Sequence, residues 1–275
     1  MRWPRNRWVF FVTAVTAVVV IFGLYVVWTN NKKDHSREAF EPTTIEPVRE
    51  FLRRDHDGFV ATFSPADLRA RGARSQDEYN TRAARAVRAP TSQESDRLRA
   101  AVSVLDINDI NDTLGDLWNK VTVAVVTDDG YEGGMPHTRG RTVFLPEAAL
   151  TTRAADALPG LLLHELTHVS QREDPVRARA WAARNGYTPC HMTGKHPLER
   201  ANPDLDGVAW CTQAAFGAVG AVGEEKETRV AFLYSSHTPN GLRDGRVVGA
   251  EYEHPNEAEA YTVAIPSTTP LLNTT

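Results

Sequence analysis

Residues 164–168 read His-Glu-Leu-Thr-His, and the chain around them is strongly apolar, with three leucines at residues 161–163. If this segment is helical, His164 and His168 lie one turn apart and project from the same face. A helix with so much apolar surface has to be packed into a core. The sequence therefore predicts a buried helix that carries one polar face.

The polar face of this helix predicts a metal site. Two neutral imidazole nitrogens at this separation can bind one Zn²⁺ and leave positions for a third ligand and a water. Glu165 follows the first histidine, where its carboxylate can accept a proton from that water. The residues alone therefore predict a zinc-dependent hydrolase, with His164 and His168 as ligands and Glu165 as the general base.

The His-Glu-x-x-His motif resembles that of the zincin metallopeptidases, whose subfamilies differ in the third zinc ligand. One subfamily has a glycine and a histidine where this chain has Gln171 and Asp174. Asp174 stays an alternative ligand, although a chain without the glycine turns back toward the metal less easily. The resemblance implies that the chain hydrolyses peptide bonds.

A downstream segment, residues 254–261, resembles the second ligand helix of the gluzincin group of zincins. It reads His-Pro-Asn-Glu-Ala-Glu-Ala-Tyr, and Pro255 suits the first turn of a helix. The resemblance implies Glu257 as the third zinc ligand. Glu259 is the reserve candidate, since two residues that lie two apart on a helix point to different faces. The spacing between His168 and Glu257 is longer than in the simplest members of the group.

The resemblance covers residues 140–265 and implies an α+β, zincin-like fold with a small sheet, an active-site helix and a ligand helix. Three segments rich in β-branched residues predict strands: residues 121–127, 141–145 and 229–234. In zincins a strand along the upper edge of the cleft pairs with the substrate backbone, and the resemblance places it at residues 142–145. Residues 130–140 contain four glycines and predict a mobile loop beside it.

The N-terminal region predicts a membrane anchor. Residues 8–28 form an uncharged apolar run that is long enough to span a bilayer as a helix. Residues 1–28 would then comprise a short cytoplasmic stub and this membrane anchor. The flanking charges predict an inside N-terminus and an extracytoplasmic remainder. A cleaved signal peptide is the alternative, but the run is long and no small-x-small site follows. Residues 29–48 predict a linker, and 49–275 one catalytic domain.

The arginine-rich stretch at residues 69–99 does not predict a nucleic-acid surface. Its arginines alternate with acidic residues and alanines rather than with aromatic side chains, and the whole chain has a net charge of −4. Exposed helices explain it better, with helix starts at Ser64 and near Ser92. The expected partners are a peptide or protein substrate and, through the N-terminal helix, the membrane.

Cys190 and Cys211 are the only cysteines in the chain. In an extracytoplasmic domain they predict a disulfide, which would stabilise the fold by about 3 kcal/mol in the chain-entropy treatment. Two free buried thiols are the alternative. A second metal site that includes His191 matches no familiar ligand spacing.

Taken together, the sequence predicts a membrane-anchored zinc metallopeptidase. The alternative is a catalytically inactive zinc-bearing binding or assembly module on the same anchor, although a purely structural site has no need of Glu165. A zinc hydrolase also needs a donor for the oxyanion. Four residues have suitable chemistry, and no spacing selects among them: Tyr234, His237, Tyr252 and Tyr261.

Overall fold

The computed structural model describes residues 44–105, 117, 120–127, 130–151, 154, 156–191, 195–213 and 227–264. This part of the chain is α+β, with two small sheets and packed helices. The predicted membrane-spanning segment, residues 8–28, lies outside the described residues. Within the ranges above, no helix has both the length and the apolar character needed to cross a membrane.

The helices are numbered along the described chain. They are α1 (Glu46–Arg53), α2 (Pro65–Ala70), α3 (Gln76–Arg85), α4 (Ser92–Val104), α5 (Leu158–Glu173), α6 (Pro175–Arg184) and α7 (Pro255–Ala264). Ser64 caps α2 by accepting a hydrogen bond from the Asp67 N–H, which agrees with the predicted helix start. The predicted linker at 29–48 ends too late, because Val48 and Leu52 of α1 are buried in the core.

The first sheet has the strand order β1-β2-β4-β3. Its strands are β1 (Val87–Arg88), β2 (Thr122–Val126), β3 (His137–Arg139) and β4 (Thr142–Pro146). β2 and β4 run parallel, and the two outer strands are antiparallel to their neighbours. The prediction that residues 142–145 form the cleft-edge strand is therefore wrong. β4 pairs with β2 on one side and with β3 on the other.

Both faces of the first sheet are buried, as the continuous apolar run of β2 requires. Val123 and Val125 pack with α4 and α5 in one apolar cluster. Ala124 and Val126 point to the opposite face and pack with α1 and α3. The sheet is thus the central layer that positions α5.

Residues 130–140, predicted as a mobile loop, contain regular structure and several buried side chains. The segment contains a 3₁₀ turn at Glu132–Gly134 and then β3. Tyr131 is fully buried, and its ring meets those of His137 and Phe144 edge-on. Gly140, with a φ of 57°, makes the tight turn from β3 to β4, a conformation that favours glycine.

The second sheet is antiparallel, in the order β5-β6-β7-β8. Its strands are β5 (Tyr187–Pro189), β6 (Trp210–Gln213), β7 (Glu227–Tyr234) and β8 (Gly245–Val248). Trp210 and Val230 pack against Ala258, so this sheet packs against α7. The predicted disulfide is present and joins Cys190, just after β5, to Cys211 on β6, with Cα atoms 5.1 Å apart.

Candidate metal centre

Helices α5 and α7 pack against each other and supply the residues of the site. Pro159 stands in the first turn of α5, where its missing N–H removes no helical hydrogen bond. Gly160 lets the two helices approach, because a Cβ there would lie 3.3 Å from the carbonyl oxygen of Ala264 on α7. The close approach brings the polar face of α5 against the first turns of α7.

His164 and His168 of α5 and Glu257 of α7 direct three ligand atoms at one another. The two Nε2 atoms are 3.1 Å apart. The Oε2 atom of Glu257 is 3.5 Å from the His164 Nε2 and 3.8 Å from the His168 Nε2. In the described part of the chain, these residues form the one group of His, Cys, Asp or Glu side chains that is close enough to hold a metal ion.

The chemistry and spacing of this donor set fit Zn²⁺. Around a tetrahedral zinc with bonds of about 2.0–2.1 Å, the ligand atoms lie about 3.3 Å apart, close to the three observed separations. Two imidazoles and one carboxylate form a donor set typical of catalytic zinc sites, which keep a position open for water. Two imidazole nitrogens and a carboxylate oxygen can lie this close together either with a hydrogen on one of the nitrogens or with a cation between them.

The structure does not bring either alternative third ligand to the histidines. Asp174 follows the last turn of α5, and its Oδ1 accepts the Arg177 N–H at 2.9 Å to cap α6. Glu259 forms an ion pair with Arg177 and accepts a hydrogen bond from Gln171 at 3.0 Å. Of the three acidic candidates, Glu257 is the one placed beside both histidines.

Glu165 is buried beside this group, with 2% of its surface exposed. Its Oε2 atom has no hydrogen-bond partner among the described residues. Burial raises the pKa of its carboxyl well above the usual value, and the carboxylates of Asp204 and Glu257 raise it further. A buried carboxyl oxygen without a partner, beside two histidines, makes Glu165 a candidate for a functional role.

Glu257 has its two carboxylate oxygens in different roles. Oε1 accepts a hydrogen bond from the Asn202 amide at 3.1 Å, which leaves Oε2 facing the histidines. The Oδ1 atom of Asn202 accepts the Asp204 N–H at 2.9 Å, which fixes the orientation of the amide. Burial alone would raise the pKa of Glu257, but His168 and His164 outweigh it and the pKa lies below its ordinary value.

Two of the four oxyanion candidates lie at the site. The ring of Tyr261 meets His164 edge-on, with ring centroids 4.6 Å apart. Tyr252 stacks on Tyr261, with centroids 5.0 Å apart. Burial raises the pKa of Tyr261 to about 12, so its phenol keeps the proton at neutral pH.

The other two candidates make their polar contacts elsewhere. The hydroxyl of Tyr234 donates to the Oδ1 atom of Asp67 at 3.1 Å. His237 contributes its main-chain carbonyl, which accepts a hydrogen bond from Arg69 at 2.8 Å. Spacing along the sequence could not separate these residues from Tyr261.

The outer side of β3 is already occupied. Its central residue, Thr138, donates its main-chain N–H to Asp204 at 2.8 Å and accepts a hydrogen bond from Arg172 on its carbonyl oxygen at 3.0 Å. These are the two main-chain groups that an added strand would use. A substrate strand can therefore pair with β3 only after Asp204 and Arg172 are displaced.

A cavity of about 900 Å³ lies next to the metal centre rather than over it. Arg172, Asn202 and Glu253 are among the residues that line it, together with parts of the second sheet. The histidine pair and Glu165 do not line it. Asn202, which holds Glu257, is the link between this cavity and the metal centre.

Sequence reasoning missed the residues that hold the ligands in place, chiefly Gln171 and Asn202. Gln171 carried a usable signal, because residues three apart on a helix are neighbours and Gln171 follows His168 at that spacing. Asn202 carried none, since a long stretch of chain separates it from Glu257 and only the fold brings the two together.

No family model matches the chain, and neither a curated protein nor a solved structure matches it significantly. The functional argument therefore rests on the geometry and chemistry of the metal centre itself. Fold-level analogy adds only the resemblance carried by the two motifs on α5 and α7.

Proposed function

We propose that this chain is a zinc-dependent hydrolase of the zincin type that cleaves peptide bonds in peptides or proteins. The observation that carries the proposal is the convergence of His164, His168 and Glu257 beside the unpaired, buried carboxyl of Glu165. These three ligands would hold Zn²⁺, which supplies Lewis-acid activation of a water and of a carbonyl when bound.

Glu165 moves the proton in this proposal. It follows His164 directly on α5, so its carboxyl belongs to the same buried surface as the ligands. As a general base it accepts a proton from the attacking water. It then passes that proton to the leaving amine as the carbon–nitrogen bond breaks, which returns the carboxylate to its starting state.

Tyr261 is the residue best suited to stabilise the developing oxyanion. Its phenol is protonated at neutral pH and stands beside His164, so it can donate a hydrogen bond to a substrate oxygen. The stacked ring of Tyr252 restricts the motion of Tyr261. Together the two rings form an aromatic wall next to the ligands.

Two further features support an extracytoplasmic domain on a membrane anchor. The Cys190–Cys211 disulfide is typical of proteins outside the reducing cytosol. The apolar run at residues 8–28 is long enough for a single membrane span. The catalytic domain would then act on peptides or proteins outside the cell membrane.

The second candidate function is a zinc-bearing binding module without turnover. The buried carboxyl of Glu165 argues against it, because a structural zinc site has no need of a general base beside the ligands. The same residue therefore separates the two functions in an experiment.

The test is cleavage of a diverse peptide library by the zinc-loaded full chain, with Glu165→Gln as the variant. We expect the wild type to cleave and Glu165→Gln to bind zinc but lose activity by about 10²- to 10⁴-fold, as for removal of a general base. Glu173→Gln is the matched control, since Glu173 lies on the same helix and pairs with Arg141 at the surface.

Each outcome of the library experiment decides a question. Wild-type rates in Glu165→Gln would show that Glu165 is not the general base. No cleavage by either protein, with zinc bound in both, would overturn the peptidase and favour either the binding module or a substrate that is not a peptide.

A further inference from the structure

Gln171 contacts His168 on the side opposite the metal ligands. The residue lies on α5 and is 3% exposed. Its side-chain oxygen, Oε1, is 2.9 Å from the Nδ1 atom of His168. Nothing in the His-Glu-x-x-His motif requires a glutamine at this position, so the contact needs an explanation of its own.

The amide of Gln171 has a single orientation that satisfies its neighbours. Its Nε2 atom is 3.0 Å from the main-chain oxygen of Asn256 and 3.0 Å from the Oε2 atom of Glu259. Both of these are acceptors, so the amide nitrogen must face them and the oxygen must face His168. A flipped amide would lose two hydrogen bonds and set oxygen against oxygen.

This orientation determines the tautomer of His168. An amide oxygen only accepts hydrogen bonds, so the hydrogen in this contact belongs to the Nδ1 atom of His168. In a neutral imidazole the other nitrogen, Nε2, then presents its lone pair. That lone pair points toward the Nε2 atom of His164 and the Oε2 atom of Glu257, as a metal ligand requires.

The hydrogen-bonded chain that begins at His168 continues beyond Gln171. Glu259 is almost fully buried; its Oε1 atom pairs with Arg177 of α6, and its Oε2 atom faces Gln171. Arg177 also donates to the hydroxyl of Ser170 at 3.3 Å. The chain from His168 through Gln171 and Glu259 to Arg177 therefore connects α5, α6 and α7.

We propose that Gln171 is a positioning residue that holds His168 in the Nδ1–H tautomer and thereby sets the zinc affinity of the centre. The inference rests on the proposed zinc site and adds to it a residue outside the ligand set. It also gives Glu259, the reserve ligand in the sequence, a different role: Glu259 orients Gln171 instead of contacting the metal.

The first measurement needs no variant. In metal-free wild-type protein labelled with ¹⁵N at histidine, the side-chain nitrogen shifts of His168 report which nitrogen carries hydrogen. We expect the Nδ1–H form to dominate. A dominant Nε2–H form would overturn the inference, whatever the chain does with zinc.

The second measurement is zinc affinity by competition with a chelator. Gln171→Met keeps the length of the side chain and removes the acceptor, so zinc binding should weaken by about 10- to 100-fold, as for loss of an outer partner of a ligand. Gln171→Glu keeps an acceptor for His168 and should restore most of the affinity, even though it stands beside Glu259 and destabilises the fold.

Thr167→Val is the matched control for the zinc titration. Thr167 is buried on the same helix, and its hydroxyl bonds the carbonyl oxygen of Leu163 at 2.8 Å, away from the ligands. We expect this variant to lose some stability with an unchanged zinc Kd. Equal zinc affinity in wild type and Gln171→Met would overturn the role of Gln171 alone, whereas a wild type that binds no zinc would overturn the proposed function.

Discussion

In the described part of the chain, two clusters of buried charged side chains differ in how fully their polar atoms are paired. The first is the metal centre, with Glu165 and Glu257 beside the two histidines. The second, here called the Arg71 cluster, consists of Asp67, Arg71 and Glu132. Both clusters are withdrawn from solvent, so both carry the cost of desolvation, and only their hydrogen bonding distinguishes them.

The Arg71 cluster is saturated. Two nitrogens of Arg71 bind both carboxylate oxygens of Glu132, each at 2.8 Å, and a third nitrogen is 3.3 Å from Asp67. The guanidinium also donates to the carbonyl oxygen of Ala201 at 2.7 Å and lies 4.2 Å from the ring centre of Phe63. A network paired in this way stabilises and specifies the fold.

The candidate metal centre is less completely hydrogen-bonded than the Arg71 cluster. It brings the Nε2 atoms of His164 and His168 to within 4 Å of the Oε2 atom of Glu257, and it leaves one oxygen of Glu165 without a partner among the described residues. Buried polar atoms without partners are rare in folded proteins, and each calls for an explanation. In this comparison the side chains of the Arg71 cluster are paired, whereas the candidate metal centre keeps the Oε2 atom of Glu165 without a partner among the described residues.

The largest expected effect is on the Arg71 cluster. Arg71→Met leaves the carboxylate of Glu132 buried without its counter-ion and leaves Asp67 with Lys195 as its remaining cation, so the free energy of unfolding should fall by about 3–5 kcal/mol. Urea denaturation measures this. The folded fraction should keep the wild-type zinc Kd, because Arg71 contacts none of the ligands.

Arg74→Met is the control for that experiment. Arg74 forms an ion pair with Glu78, but its side chain is 92% exposed, so its loss should change stability by about 0.5 kcal/mol or less. Similar stability in Arg71→Met and Arg74→Met would contradict the structural role given to the Arg71 cluster.

The next effect concerns the metal centre. With free zinc at about 100 times its Kd, the folded state should gain about 2.7 kcal/mol over the same protein in chelator. His168→Ala should show no such gain, since it removes one of three ligands. Thermal unfolding with and without chelator measures both, and an equal gain in His168→Ala would place the bound zinc elsewhere.

The smallest effect belongs to an ion pair of intermediate exposure, Arg88 with Glu94. The hydrogen-bonded ion pair with Arg88 lowers the pKa of Glu94 from 4.5 to about 2. A carboxyl with a lowered folded-state pKa stabilises the fold above the unfolded-state pKa, and this contribution is lost as the pH falls from 4.5 toward 2. The side chain also completes the cap of α4 through Thr91.

Glu94→Gln should therefore lower the unfolding free energy at pH 7 by about 1 kcal/mol, roughly the size of a helix-cap contribution. The unfolding free energy of the variant should also decline less steeply between pH 5 and pH 3. Denaturant unfolding at a series of pH values measures the slope. Parallel curves for wild type and variant would mean that the pair makes no pH-dependent contribution to stability.

The parts of the site that follow from local spacing could be predicted from the sequence. His164 and His168 share a face because they are one helical turn apart, and Glu165 is adjacent to the first of them. The strand at β2 was visible as a β-branched run, and the cysteine pair indicated the disulfide. Each of these depends on neighbours in sequence or on the count of a single residue type.

The parts that depend on strand order and long-range contacts could not be predicted. Residues 142–145 look like any buried strand, and only the sheet order shows that β4 is paired on both sides. Asp204 accepts the main-chain N–H of Thr138 from a loop that is distant in sequence, so no local pattern predicts this contact. The packing of residues 130–140 was equally hidden, because their glycines serve tight turns in a folded segment.

The most direct test of the account is a zinc-soaked crystal of the full chain, with diffraction data collected on both sides of the zinc absorption edge. We expect one anomalous peak, about 2.0–2.1 Å from the Nε2 atoms of His164 and His168 and from the Oε2 atom of Glu257. A peak at other residues, or none beside these three at saturating zinc, would contradict it.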